Sequence, residues 1–378
     1  MTCHPLFGPN RFKLGIFAAN ADGGLALTKV PERWPALWPE IVEVARMADQ
    51  AGIEFFLPIA RWKGFGGETN SRETSFETLT FAAALAGVTE RIGLFATVHV
   101  PMIHPVYAAK ALTTIDHASG GRAGLNIVCG WNPVEFDLFG LPMIEDRYAQ
   151  GLEWVEVMER LFAGGAPFDY DGRFYQLRGV SGLPRPVQQP RPVMLNAAFS
   201  PTGRDFAART ADFLFTTFTD IGSGRAHIAD MASRPKTLGV LPKAVGVLPK
   251  AVGVFTTCHV VCRATRAEAE DYYAEYAVRM EDTGAVDAHM AGKQQFSASH
   301  DPDAYRLYRT RFAGGAGTYP LIGTAADIAD EMVRMADAGF AGTTVSFVNF
   351  RNELPAFLTG VLPLLREAGL REAGLREI

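Results

Sequence analysis

Short apolar runs alternate with amphipathic helical patterns along almost the whole chain, and this rhythm constrains the fold more than any other feature. Lys13–Ala19 reads as a strand and Trp38–Ala51 as a helix stopped at Gly52. Glu54–Pro58 is the next strand, Ser75–Val88 an Ala-rich helix, Ile92–Val98 a strand, and Val106–Ala118 a helix ended by Gly120-Gly121. Arg122–Cys129 and Asp146–Phe162 repeat the pairing. A helix of this length returns the chain so that successive strands run parallel, so the repeat predicts a parallel sheet with crossover helices.

The rhythm breaks over 164–192, where Gly and Pro are frequent and Tyr170-Asp171-Gly172-Arg173-Phe174-Tyr175 carries a hairpin signal. Alternation resumes with Val193–Ala197, Thr202–Thr210, Phe213–Thr217, Val252–Cys262 and Arg266–Glu281. A polar segment from Asp282 interrupts it, and Ala325–Ala338, Gly342–Val348 and Pro355–Ala368 close it. Eight strands stand outside the hairpin, beginning at Lys13, Glu54, Ile92, Arg122, Val193, Phe213, Val252 and Gly342. They predict one (β/α)8 TIM barrel with insertions over 1–378. The hairpin is an insertion at 164–192, and 282–320 is a candidate lid insertion. No GxGxxG follows the first strand, which weighs against an open dinucleotide-binding sheet.

Composition narrows the function. The net charge is −5 with both signs interleaved, and no basic face stands out for nucleic acid. No apolar run reaches membrane-spanning length and no leader pattern opens the chain, so a cytoplasmic protein is expected. The cysteines are Cys3, Cys129, Cys258 and Cys262, which suits a reducing compartment. Cys258 and Cys262 flank His259, but without a second cysteine pair a buried strand explains them better than a metal, and no metal is expected. Two direct repeats occur, at Gly239–Val245 with Gly246–Val252 and at Leu365–Gly369 with Leu370–Gly374. The first should lengthen the loop before the seventh strand, and the second should extend the last helix.

Function in a parallel barrel sits at the C-terminal strand ends. Those ends here are polar and aromatic: Ala60, Arg61, Trp62 and Phe65 after the second strand, Thr97 and His99 on the third, Asn126 and Trp131 on the fourth. The fifth leads through Ser200-Pro201-Thr202-Gly203 directly into a helix. That turn is either a phosphate site at a helix N-terminus or an ordinary Ser N-cap with Pro at the first position. Asn126 is either a satisfied core amide or an amide aimed at a ligand. Arg147-Tyr148 is either an anion contact or a solvated helix start. Gly64–Gly67 lacks the Gly-Lys-Ser/Thr ending of a nucleotide P-loop, and no Gly-x-Ser-x-Gly elbow supports a serine hydrolase.

The passage ALTTIDHASGGRAGLNIVCGW, Ala111–Trp131, resembles the bacterial luciferase-like family of flavin monooxygenases, and the resemblance runs from Lys13 to Leu365. Gly64-Phe65-Gly66-Gly67-x-Thr69 is similar to the pyrimidine oxygenases, with dimethylsulfone and alkanesulfonate monooxygenases next. The resemblance implies reduced FMN, O2 and a small organic substrate, best a pyrimidine-like heterocycle, oxygenated through a flavin (hydro)peroxide. NAD(P)H would act only through a partner flavin reductase, and a homodimer or higher homo-oligomer would be usual. By the same resemblance Thr97 and Asn126 would serve catalysis. Ala60, Arg61, Asn126 and Glu135 would lie along the flavin, although the pyrimidine enzymes carry Ile-Lys where Ala60-Arg61 stand here. Arg147, Tyr148, Ser200 and Gly203 would hold its phosphate, and Trp62, Phe65, His99 and Trp131 would face substrate. Other readings are a sulfone or alkanesulfonate monooxygenase, an F420-dependent dehydrogenase on the same barrel, and a non-catalytic flavin-binding protein.

Overall fold

Runs rich in β-branched and aromatic residues become strands because both faces of a parallel sheet are covered. The computed structural model describes residues 4–130, 132–234, 251–292 and 302–372. Its strands are β1 Lys13–Phe17, β2 Phe55–Leu57, β3 Gly93–His99, β4 Ala123–Val128, β5 Phe168–Asp171 and β6 Gln176–Val180. They continue with β7 Val193–Ala197, β8 Phe213–Phe215, β9 Gly253–Cys262, β10 Tyr319–Gly323 and β11 Gly342–Ser346. Hydrogen bonding orders one sheet as β10-β9-β11-β1-β2-β3-β4-β7-β8, and a further β9–β8 pairing makes the order circular. The fold is a (β/α)8 TIM barrel, as the alternation predicts, with β10 added on β9. β5 and β6 form a separate antiparallel hairpin, where the turn signal places it.

Contacts divide the chain into two compact units. The first comprises Met1–Gly8, Glu77–Thr216 and His227–Val254, and holds β3, β4, β7 and β8. Its strands pack through complementary volumes: Phe95 lies against Gly124, where any Cβ would enter the ring. The Arg191 guanidinium donates to both oxygens of Asp212, at 2.7 and 3.2 Å, in a buried pair. At the N-terminus Phe7 stacks on Phe213 and His4 meets Phe95 edge-on, and burial lowers the His4 imidazole to about 3. The motif that carries the family resemblance is largely a staple. Asp116 accepts from the Gln188 amide N–H at 2.9 Å and from its side-chain Nε2 at 2.6 Å. Arg122 donates to the carbonyls of Ser119, Thr89 and Ile92.

The second unit comprises Pro9–Phe76, Thr217–Ala226 and Phe255–Ile378. Here β10, β9, β11, β1 and β2 are neighbours in that order. Phe55 fills the space above Gly15, and Phe255 meets Phe55 edge-on at 5.6 Å. Cys258 and Cys262 lie buried in β9, and burial pushes the Cys258 thiol up to about 12. No group of three metal-ligating side chains occurs among the described residues. No helix among them is long and apolar enough to cross a membrane.

Several boundaries differ from the sequence reading. β10, Tyr319–Gly323, starts at the end of the stretch 282–320 read as an insertion and is not among the eight strands expected, because a five-residue strand containing Pro320 shows little alternation. The helix expected over Arg266–Glu281 is α-helical only to Ala274 and continues as a π-turn over Glu275–Arg279. The last helix is Phe350–Glu367, starting before Pro355 because Asn349 caps it, its side chain accepting from the Asn352 N–H. The second repeat does not extend this helix. The chain turns at Gly369, φ +69°, and Leu370 and Arg371 instead tie down the start of β1. The Leu370 carbonyl accepts from the Arg11 and Phe12 amides, and Arg371 bridges buried Glu54 at 2.9 Å. Most of the Gly239–Val252 repeat lies outside the described residues.

Candidate active site

In the first unit, β3 and β4 run in register, which sets Thr97 beside Asn126 and His99 beside Val128. Thr97, His99 and Asn126 are each 6% exposed. The Thr78 hydroxyl donates to the Thr97 carbonyl at 2.6 Å and fixes this strand end. Asn126 Nδ2 donates to Thr97 Oγ1 at 3.3 Å. Its Oδ1 is buried and has no hydrogen-bond partner among the described residues. The neighbouring Asn196 on β7 repeats the pattern: Nδ2 donates to the Ile127 carbonyl at 2.7 Å, and Oδ1 is left without a partner there. An unmade hydrogen bond on a buried amide costs about 1–3 kcal/mol. A ligand donor would remove that cost.

Further along the first unit, the helix Pro201–Thr210 begins at the end of β7. Ser200 caps it, its hydroxyl accepting from the Gly203 N–H at 3.1 Å. The Tyr148 hydroxyl stands 3.5 Å from Ser200 Oγ. Gly203 is needed at this approach, since a Cβ would lie 2.6 Å from Tyr148 Oη and 2.8 Å from Ala198 Cβ. The Arg147 guanidinium sits 5.1 Å over the Tyr148 ring and donates to the Gly130 carbonyl at 2.7 Å. Ser200 is therefore both a helix cap and part of a hydroxyl-lined cradle at the positive end of a helix. Such a place suits a phosphate. Glu135, on the short helix Pro133–Leu138, is 1% exposed. Trp131 lies outside the described residues.

The β5–β6 hairpin ties to the helix that starts with Arg147-Tyr148, which the sequence did not reveal. Glu153, on the helix Arg147–Ala163, accepts from the Arg173, Phe174 and Tyr175 amides at 2.9, 2.9 and 3.3 Å. Arg173 pairs with Asp146 at 3.2 Å, at the cap of the helix that starts with Arg147-Tyr148.

The second unit carries the remaining sequence candidates in the segment after β2. Ala60 is half-buried, Arg61 is buried and Trp62 is 39% exposed. Arg61 Cζ lies 4.6 Å from the centre of the Phe65 ring, and Arg72 Cζ lies 5.0 Å from it. Arg72, unnoticed in the sequence because it stands in a polar run without periodicity, donates to the Gly24 and Leu25 carbonyls at 2.7 and 2.9 Å. Burial, and then the charge of Arg61, lower Arg72 to about 9.

Comparison with known proteins agrees with this architecture. The family model for luciferase-like monooxygenase matches residues 12–342. The pyrimidine monooxygenase RutA of a Bradyrhizobium species is 34% identical over 219 residues, 57% of this chain and 60% of that protein, so the match spans under two thirds of that relative. The FMNH2-dependent dimethylsulfone monooxygenase of Pseudomonas putida is 27% identical over 94% of this chain and 95% of its own length. Among solved structures, a riboflavin lyase superposes with a TM-score of 0.79 at 21% identity, covering 97% of this chain and 94% of the lyase. The chain belongs to the luciferase-like monooxygenase family.

Proposed function

We propose that this protein is a two-component monooxygenase that takes reduced FMN from a separate, NAD(P)H-using flavin reductase and, with O2, oxygenates a pyrimidine-like heterocycle. The observation that carries the reading is the orphaned Asn126 Oδ1 beside Thr97, in the same unit as the Ser200–Tyr148–Gly203 cradle. A buried carbonyl lacking a donor fits a ring N–H, and the cradle fits a phosphate, so the residues present match FMN. The FMNH2-dependent dimethylsulfone monooxygenase relative supports the same cofactor.

Bound FMN would supply the O2-activating chemistry. The protein's own share is binding, orientation and exclusion of water. Ser200 and the Pro201–Thr210 helix N-terminus hold the phosphate, with Tyr148 and Arg147 alongside. Asn126 orients the ring through Oδ1, and Glu135 and the Ala60-Arg61 segment flank it. The Thr97 hydroxyl and Asn126 amide stabilise negative charge that develops on oxygen; one such contact is worth about 3 kcal/mol. His99, Trp62, Phe65 and Trp131 bound the substrate. We read 164–192 as an insertion into one barrel domain and the assembly as a homo-oligomer; of the lid expected at 282–320, residues 293–301 lie outside the described residues, and Asp282, Ala285, Val286 and Phe312 are buried packing positions. A small sulfone is the second substrate reading, favoured by the match to the sulfone enzyme along 94% of the chain.

The test is anaerobic loading with reduced FMN, then O2 with uracil or dimethylsulfone, and mass spectrometry of the products. Oxygen incorporated into uracil is expected. No oxygenated product from either compound, with FMN bound, would overturn the substrate reading. Absence of FMN binding would overturn the cofactor reading.

A further inference from the structure

The glycine-rich segment after β2 is held by carboxylates at both ends: Glu73 accepts from the Gly64 amide at 2.7 Å, and Asp282 grips the far end. Asp282 is fully buried. Its Oδ2 accepts from the Thr69 amide and the Thr69 hydroxyl, both at 2.7 Å. Its Oδ1 accepts from the Glu68 and Ala285 amides, both at 3.2 Å. The Ala285 bond caps the helix Thr283–Gly292, so one side chain both starts that helix and pins the loop. Backbones meet directly at the junction. Gly67 adopts φ +72°, and a Cβ on it would collide with Asp282 and come within 2.5 Å of the Ala285 nitrogen. A Cβ on Gly284 would lie 2.9 Å from Gly67 Cα.

The same helix grips the loop a second time near its other end. His289 stacks on Phe65 with ring centres 4.1 Å apart and planes 8° from parallel. Phe312 backs His289 edge-on at 5.0 Å. Phe65 is the ring over which Arg61 lies. The anchor of the helix is itself fixed, because the Asp282 amide donates to the Leu27 carbonyl and Thr28 Oγ1 donates to the Met280 carbonyl.

We propose that Asp282 and His289 are positioning residues: through Thr69 and Phe65 they hold the loop in the one conformation that sets Arg61 for the cofactor. This rests on the reading that the Ala60-Arg61 segment flanks FMN. A loop with Gly66 and Gly67 both at positive φ has wide conformational freedom when released. Ordering it before binding removes that cost from the binding step. Neither residue touches the cofactor in this account; both act through Arg61.

The experiment is a double-mutant cycle on the full chain, read by titration with oxidised FMN, together with tryptic cleavage after Lys63 followed by mass spectrometry. Arg61→Ala is expected to weaken FMN about tenfold. Asp282→Ala should weaken it to a similar degree and speed cleavage after Lys63. The pair Asp282→Ala/Arg61→Ala should be no weaker than Arg61→Ala alone, because the clamp has nothing left to position. Asp282→Asn retains one acceptor oxygen and should recover part of both losses. His289→Leu, a second variant that leaves the helix cap intact, should show the same non-additivity with Arg61→Ala. Additive losses in both cycles, or unchanged cleavage and unchanged FMN affinity in both single variants, would overturn the inference while leaving the monooxygenase reading standing. A wild-type chain that binds no FMN would end both.

Discussion

The strand ends of the first unit and the glycine-rich loop of the second treat their polar atoms in opposite ways. Asn126 and Asn196 each bury a carbonyl oxygen with no partner among the described residues. Asp282 buries two oxygens and uses both, accepting four hydrogen bonds. Folding alone rewards the second arrangement and penalises the first. A buried oxygen left without a partner fits a donor from outside the chain, whereas a saturated carboxylate serves the chain itself. On the proposed reading the orphaned amides are where a ligand would be held, while the saturated clamp holds its own loop still.

The largest expected effect follows from that contrast. Asn126→Ala should lower oxygenation about 100- to 1000-fold, the range for losing one preorganised polar contact. Its thermal midpoint should stay at the wild-type value or rise, since an unpaired buried oxygen has been removed. Asp282→Ala should do the reverse, lowering the midpoint while turnover at saturating cofactor and substrate changes little. Scanning fluorimetry beside turnover assays checks both. A destabilised Asn126→Ala with normal turnover would break the comparison, because the amide would then be core and not site.

A smaller effect is expected at the cradle, where structure and binding share one hydroxyl. Ser200→Ala removes an N-cap, worth about 1 kcal/mol of stability. It should also weaken FMN several-fold. Ser200→Asp offers a cap of equal quality but puts a negative charge where the phosphate goes. It should restore the midpoint and weaken FMN further, measured by the same titration. Restored affinity in Ser200→Asp would show that the cradle only caps a helix.

How much of this could be read in advance differs between the two regions for a physical reason. The barrel was legible because alternation reports burial, and strand ends follow from it; Thr97, Asn126 and Ser200 came directly from that step. What the orphaned oxygens do was not legible, since whether an amide is satisfied depends on atoms brought from other strands. Asp282 was not legible: in the sequence it only opens a polar segment, and its task joins residues more than 200 positions apart in the chain. Tyr319–Gly323 and the turn at Gly369 were missed because short strands and helix stops are decided by tertiary contacts that override local preference.

The smallest effect concerns pH, and it separates the two regions without any substitution. Burial alone would push the Asp282 carboxyl up, but the hydrogen bonds from Thr69, Ala285 and Glu68 outweigh it and hold the group below its usual value. A carboxyl that is more acidic in the folded state stabilises that state above the unfolded pKa, and the contribution fades as pH falls through the folded one. Among the neighbouring charges, Lys29 pairs with Glu68 at 2.9 Å, and Arg309 bridges Glu281 and Asp287, at 2.9 and 2.5 Å. The cations oppose protonation of Asp282, whereas Glu68, Glu281 and Asp287 favour it. Protection of the Glu68 and Thr69 amides, the two of this loop that donate to Asp282, followed by hydrogen exchange corrected for intrinsic rates, should therefore be flat from neutral pH to about 5 and fall only below the ordinary carboxylate range near 4. The amides around Asn126 lie in a backbone ladder between β3 and β7 and should show no step of their own before global unfolding. In Asp282→Asn the loop's step should vanish, leaving lower but pH-independent protection. A step that persists in Asp282→Asn would assign the loop's acid sensitivity to Glu68 or Glu281 and remove the carboxylate from the clamp.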